Sequence, residues 1–236
     1  MIHATYELTK QFYISSNFCK NSPSNNNKEE TMGTPLFIEV ITLIAAYLLG
    51  SIPSGLLISW AFKLPDPREI GSETIGATNM LRLGDKRAAI LTLLLDALKG
   101  SLAVIIALIV APPLAQFACL LAVIGHIWPV WLGLKGGKGI ATAFGAILIL
   151  SWPLAIVCLV TWIAVAATTR YSSLASLTAV ILSPLYTTVL NEDTLVMTCL
   201  GLACLIFWTH RSNIKRLITG KESQIGDTTL SQTPQD

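Results

Sequence analysis

Seven long apolar stretches run along the chain, at approximately 36–60, 88–111, 114–131, 139–150, 153–168, 174–190 and 194–209, with short polar connections between them. A helix needs about 20 residues to cross a hydrocarbon core of about 30 Å. The first two stretches meet that length. The fourth, fifth and seventh are short, and read as thin-membrane spans, tilted pairs or half-helices lining a cavity. The pattern predicts an all-α, polytopic integral membrane protein of about seven transmembrane helices.

The connections orient those helices. Lys63, Arg68, Arg82, Lys86 and Arg87 lie in the first, Lys135 and Lys138 in the third, Arg170 in the fifth, and Arg211, Lys215, Arg216 and Lys221 in the tail. The alternate connections, at 111–113, 151–152 and 191–193, carry no Lys or Arg. Basic loops stay cytoplasmic. This places the N-terminus outside and the C-terminus in the cytoplasm, an arrangement that requires an odd number of spans.

Composition agrees with a chain solvated mostly by lipid. Of 236 residues, 53% are hydrophobic and only 13% charged, against about a quarter charged in soluble domains. Cys19, Cys119, Cys158, Cys199 and Cys204 form no C-x-x-C pair, and the last four lie in apolar runs as packing residues. Residues 1–31 are polar, with the segment NSPSNNNKEET at 21–31. They are expected to be a disordered extension, with Met32 as the native start. The membrane domain is expected over 32–222 and a disordered cytoplasmic tail over 223–236.

Polar variety is confined to four segments on the basic side. The first runs from Ile70 through Gly71, Ser72, Glu73, Thr74, Gly76, Thr78 and Asn79 to Arg82, whose guanidinium is suited to gripping a phosphate or carboxylate. The second is Lys135-Gly136-Gly137-Lys138-Gly139, opening directly into a helix. Its glycine amides, its lysines and the helix N-terminus are expected to surround an anion. A positive-inside anchor would need the lysines and not the glycines. The spacing is not that of a nucleotide P-loop. In the third, Arg170–Ser176, serines start a helix and read equally as N-caps. In the fourth, His210 and Asn213 share a face if the helix continues. His210 then reads as an acid or base, or as a snorkelling interfacial side chain.

Asp96 and Lys99 sit three residues apart inside the second apolar stretch. Charges at that depth pair structurally or line a pathway. His126 reads as a satisfied buried histidine. Familiar alternatives fail: a His-x-x-x-x-Asp acyltransferase signature would need Asp at the positions of Trp131 or Lys215, and no metal or cofactor motif appears.

Taken in order, Gly50-Ser51-Ile52-Pro53-Ser54-Gly55, Gly71-Ser72 with Gly76-Ala77-Thr78-Asn79 and Arg82, Leu95-Asp96-Ala97-Leu98-Lys99-Gly100, Gly125-His126 with Pro129 and Lys135–Gly139, and His210, Asn213-Ile214, Arg216-Leu217, Gly220 and Glu222 resemble the bacterial acyl-phosphate:glycerol-3-phosphate acyltransferases, the PlsY family. The resemblance covers about 35–222. Thr74 departs from it, since many members have Asn there. It implies a seven-helix enzyme of the inner membrane that moves a fatty acyl group from acyl phosphate to the sn-1 hydroxyl of glycerol 3-phosphate, without a cofactor. Ser72, Arg82, His210 and Asn213 would be catalytic. Lys135, Gly136, Gly137, Lys138, Gly139, Asn79, Lys99 and Ser173 would bind substrate or phosphate. Asp96 and Glu222 would be structural, and there would be no metal. Implied partners are glycerol 3-phosphate, acyl phosphate and membrane lipid, with the soluble enzyme that makes acyl phosphate as a candidate and no nucleic acid. The proton of the glycerol hydroxyl would go to His210 or to a substrate phosphate. The rival reading is a small transporter of phosphorylated anions, which would need polar groups through the midplane and on both sides.

Overall fold

A computed structural model of the chain describes residues 34–69 and 74–227. The expected extension at 1–31, the Met32 start, Ser72 and residues 228–236 lie outside the described residues. The described part holds ten α-helices: α1 Leu36–Gly50, α2 Ser54–Ala61, α3 Ala77–Arg82, α4 Lys86–Val110, α5 Ala115–Ile127, α6 Ile140–Leu150, α7 Trp152–Thr169, α8 Ser172–Val189, α9 Val196–Thr209 and α10 Arg211–Ile218.

Local chemistry sets several of these ends. Asp85 caps α4 by accepting from the amides of Arg87 (2.8 Å) and Ala88 (3.0 Å). Ser151 caps α7 by accepting from Leu154 (3.2 Å), and Pro153 in the first turn has no amide to waste there. The stretch expected as one helix over 36–60 is broken at Ser51–Pro53, and α1 and α2 meet at 41°. Proline cannot donate to the preceding turn, which frees carbonyls at the break. A second break of 63° separates α9 from α10 at His210.

Among the described residues four segments are long and apolar enough to cross a membrane: Lys86–Val110, Pro112–Leu132, Trp152–Thr169 and Ser172–Val189. Counting each bent pair, α1 with α2 and Asp193–Thr209 with α10, as one span raises that to six. The fifth stretch, expected to be short, is 18 residues long and reaches spanning length. The fourth is short, as expected: α6 has 11 residues, about 16 Å of helix at 1.5 Å per residue.

The helices pack through small residues, with the large apolar side chains turned outward. Ala103, Ala107, Ala118, Ala122 and Ala146 are fully buried, while Ile90, Leu94, Ile109, Val160, Leu185 and Met197 are exposed. This distribution suits lipid outside and close backbone approach inside. Two helix pairs are in backbone contact. A Cβ on Gly145 of α6 would lie 1.9 Å from the Ala97 carbonyl oxygen of α4, and one on Gly50 of α1 would lie 2.0 Å from that of Ala122 in α5. Ser101 adds a hydrogen bond to the Gly145 carbonyl at 2.8 Å.

Candidate active site

The break at His210 organises the basic end. His210 is buried, and its Nδ1 lies 2.8 Å from the Ile206 carbonyl oxygen. A carbonyl can only accept, so Nδ1 carries the proton and the lone pair sits on Nε2. The helix does not continue through His210, so His210 and Asn213 do not share one straight helix face as expected. Thr209 donates to the Lys138 carbonyl at 3.2 Å, which fixes the glycine-lysine loop beside this turn.

Glu222 is the centre of the cluster. Its Oε1 accepts from Ser173 (2.8 Å) and Asn213 (2.6 Å), and its Oε2 from Arg216 Nε (2.7 Å). Burial pushes this carboxyl up, but those three donors and the Arg216 charge outweigh it and hold Glu222 below the usual carboxylate range. Because Asn213 turns its amide nitrogen to the carboxylate, its Oδ1 is left buried and without a hydrogen-bond partner among the described residues. The segment after Glu222 is held too. Ser223 accepts from the Arg82 guanidinium, and Ile225 exchanges backbone and side-chain bonds with Arg170 at 2.7 and 3.0 Å. Ser223 and Ile225, which fall beyond the expected domain end at 222, are thus hydrogen-bonded to Arg82 and Arg170.

Arg82, Lys138, Arg216 and Glu222 lie near enough to influence one another. Burial lowers the Lys138 ammonium to about 8; Glu222 opposes that shift, and Arg216 and Arg82 reinforce it. Burial also draws Arg82 down, with Glu222 opposing. The cations Arg82, Lys138 and Arg216 outnumber the carboxylates Glu222 and Asp227 that act on them, so the pocket favours an anion. The uncapped N-terminus of α6 opens beside it, with Gly139 at φ 86° as its N-cap.

Several expected ligands are placed otherwise. The amides of Gly136 and Gly137 do not present themselves to an anion: they donate to the carbonyls of Ile127 (3.0 Å) and His126 (3.1 Å). These glycines are required by close packing. A Cβ on Gly136 would lie 2.1 Å from the His126 carbonyl oxygen, and one on Gly137 would lie 2.1 Å from His126 Nε2. Asn79 is 1% exposed, and its amide donates to the carbonyls of Pro67 (2.5 Å) and Thr74 (2.9 Å), bracing its own loop. Lys99 is apart from the cluster. It is 4% exposed, pairs with Asp96 at 2.8 Å and donates to the Ile52 carbonyl at the α1–α2 break at 2.8 Å. Ser173 is spoken for by Glu222, and Lys135 is exposed.

Sequence reading passed over Thr209 and Ser223 as parts of this end. No signal marks Ser223, because a polar tail after the last helix looks the same whether packed or loose. Thr209 beside a histidine at a helix end was a usable signal.

An apolar groove of about 430 Å³ adjoins the cluster, lined by Leu174, Leu177, Ile181, Phe207, Ile214 and Leu217 among others. Leu174 follows Ser173 and Ile214 follows Asn213 in sequence, so the groove starts where the polar cluster stops.

The family model described as glycerol-3-phosphate acyltransferase matches residues 40–220. The glycerol-3-phosphate acyltransferase of Mesorhizobium japonicum is 49% identical over 187 residues, covering 79% of this chain and 96% of its own. That of Methylococcus capsulatus is 46% identical over 192 residues, covering 80% and 97%. The crystal structure of PlsY, an integral membrane glycerol 3-phosphate acyltransferase, in its glycerol 3-phosphate form superposes with a TM-score of 0.75 at 38% identity, over 79% of this chain and 95% of that one. Its lysophosphatidic acid form gives 0.73 at 37% identity, over 78% and 94%. An all-α, polytopic fold with this motif order and this degree of likeness across the membrane domain leaves one assignment: the chain belongs to the glycerol-3-phosphate acyltransferase family.

Proposed function

We propose that this chain transfers a fatty acyl group from acyl phosphate to the sn-1 hydroxyl of glycerol 3-phosphate, at the cytoplasmic end of its helices, releasing 1-acyl-glycerol 3-phosphate and phosphate. The observation that carries the reading is the half-buried cluster of Arg82, Lys138 and Arg216 around the buried Glu222, beside the helix N-terminus of α6 and an apolar groove. Relatives and solved structures named for glycerol 3-phosphate acyl transfer support it. The transporter alternative has no comparable support. Among the described residues the charges at depth, Asp96 and Lys99, are spent on each other.

In this reading Lys138, Arg82 and the α6 N-terminus hold the phosphates, and Lys135 attracts them from the rim. The acyl chain lies in the groove between α8, α9 and α10. An acyl phosphate is already activated, so no covalent enzyme intermediate is needed. The sn-1 oxygen bonds to the acyl carbon, the bond from that carbon to the phosphate oxygen breaks, and the hydroxyl proton passes to His210 Nε2 and on to the departing phosphate. Asn213 Oδ1, an acceptor without a partner among the described residues, receives the glycerol hydroxyl before transfer. Ser72 donates to the developing oxyanion. Holding two anions together against their repulsion supplies ~7–11 kcal/mol of barrier lowering where orientation is good.

The same proposal takes α6 as a seventh, half-length crossing, puts the N-terminus outside and the C-terminus in the cytoplasm, and treats residues 1–31 as an appendage of the enzyme domain. The soluble enzyme that makes acyl phosphate is the partner that would deliver the donor. The test of donor choice is direct. Purified protein is given glycerol 3-phosphate with palmitoyl phosphate, palmitoyl-CoA or palmitoyl acyl carrier protein in turn. Lysophosphatidate from palmitoyl phosphate alone is expected; equal rates from a thioester donor would overturn the assignment.

A further inference from the structure

The mechanism makes no use of three buried ionisable side chains, and they lie one behind another beneath the glycine-lysine loop. Lys99 pairs with Asp96 Oδ1 at 2.8 Å, and His126 Nδ1 faces the same oxygen at 3.4 Å. All three are under 5% exposed. They join four pieces of the fold: α4 carries Asp96 and Lys99, the α1–α2 break supplies the Ile52 carbonyl to Lys99, α5 carries His126, and His126 touches the loop. That last contact is twofold. The His126 carbonyl accepts from the Gly137 amide at 3.1 Å, and its Nε2 stands where a Gly137 side chain would be.

We infer that His126 is a positioning residue for glycerol 3-phosphate binding: the Asp96–Lys99 pair orients its ring, and the ring seats Gly137, which aims Lys138 into the site. The physical case rests on charge and close packing. Nδ1 and Asp96 Oδ1 face each other at 3.4 Å without hydrogen-bond geometry, so the carboxylate acts on the ring by charge, favouring the tautomer with its proton on Nδ1, and close packing of the ring against Asp96 and Gly137 limits its rotation. A fixed ring in contact with a glycine backbone leaves that backbone one position. Lys138 follows Gly137 directly, and its carbonyl is tied on the other side by Thr209. The loop is thus held at Gly137 by the buried relay and at Lys138 by the helix break, leaving the ammonium as its movable part. A purely space-filling His126 would have no such dependence on Asp96 and no selective effect on one substrate.

The inference rests on the reading of Lys138 as a phosphate ligand, and the experiment separates the two. Full-length His126→Ala, His126→Asn, Gly137→Ala, Lys138→Ala and the His126→Ala/Gly137→Ala double variant are purified and assayed with glycerol 3-phosphate and palmitoyl phosphate. His126→Ala is expected to raise KM for glycerol 3-phosphate about tenfold to a hundredfold, with kcat within about threefold and donor KM unchanged, since a small misplacement of a binding group has effects of that size. His126→Asn keeps a donor toward Asp96 and lacks the atoms that touch Gly137, so it shows the same selective defect and replaces His126→Ala should that variant not fold. Gly137→Ala raises the same KM when introduced alone. It adds less than about twofold in the His126→Ala background, where the ring it collides with is gone. A glycerol 3-phosphate KM within about twofold of wild type in the His126 variants, or a fall in kcat alone, overturns the inference. So does full additivity of the two substitutions. If Lys138→Ala itself leaves that KM unchanged, the phosphate reading beneath it fails instead.

Discussion

Glu222 gathers three hydrogen bonds from two separate stretches of chain, Ser173 in α8 and Asn213 and Arg216 in α10. Taking away a buried carboxylate strands its donors, at a cost of about 3–5 kcal/mol. Glu222→Ala is therefore expected to lower thermal stability along with activity, a loss visible in a thermal melt of purified protein. His210 is different. Its Nδ1 proton is committed to Ile206, and the useful lone pair is on Nε2. His210→Ala is expected to lower kcat by about a hundredfold or more, within the range for losing a general base, and to leave the melt near wild type. Activity within a few-fold of wild type would make a substrate phosphate the proton acceptor. Burial lowers the Lys138 ammonium to about 8. Its cationic form binds phosphate, so kcat/KM for glycerol 3-phosphate is expected to fall as pH rises through about 8. Lys138→Arg, which stays charged, moves that limb upward. At this scale the sequence was legible for residue types and less so for their employment. Lys138 lies near enough to act on both Arg82 and His210, whereas Asn79, Gly136 and Gly137 spend their hydrogen-bonding capacity inside the protein. A motif string names donors and acceptors but does not reveal which are already taken.

Helices α4 and α6 meet backbone to backbone, and so do α1 and α5. This makes their glycines the sensitive positions. Gly145→Leu would drive a side chain into the Ala97 carbonyl, forcing the pair apart at a cost of about 3 kcal/mol or more. It is expected to lower the melting temperature sharply. Gly201→Ala meets only a terminal carbon of Leu120 at 3.1 Å, which can swing away, and is expected to be mild. The existence of these helices was plain from apolar runs, and most ends fall within two or three residues of expectation. The two breaks were harder to see. Pro53 offered a signal for the first. The turn at His210 offered none, because it depends on a ring nitrogen reaching back to Ile206 and on packing against the Lys138 segment.

For the whole molecule, charge on alternating loops remains the best guide to orientation, and the cluster sits where the basic loops converge. Arg82, Lys138, Arg170, Arg216 and Glu222 come from four polar segments of the chain that were each weak evidence alone. Their assembly depends on the chain beyond α10 folding back through Glu222 to Asp227, which apolar patterning could not show. Removing residues 223–227 frees Arg82 and Arg170 from their partners and is expected to reduce activity while the helices still form, as read by circular dichroism beside turnover. The central claim is acyl transfer between two phosphorylated substrates without a cofactor. It is tested most directly by mass balance on purified protein, given radiolabelled glycerol 3-phosphate and palmitoyl phosphate carrying a second label on phosphorus. The account predicts lysophosphatidate and inorganic phosphate in equal amounts, with no added metal or nucleotide; phosphate release without lysophosphatidate, or no product at all, would contradict it.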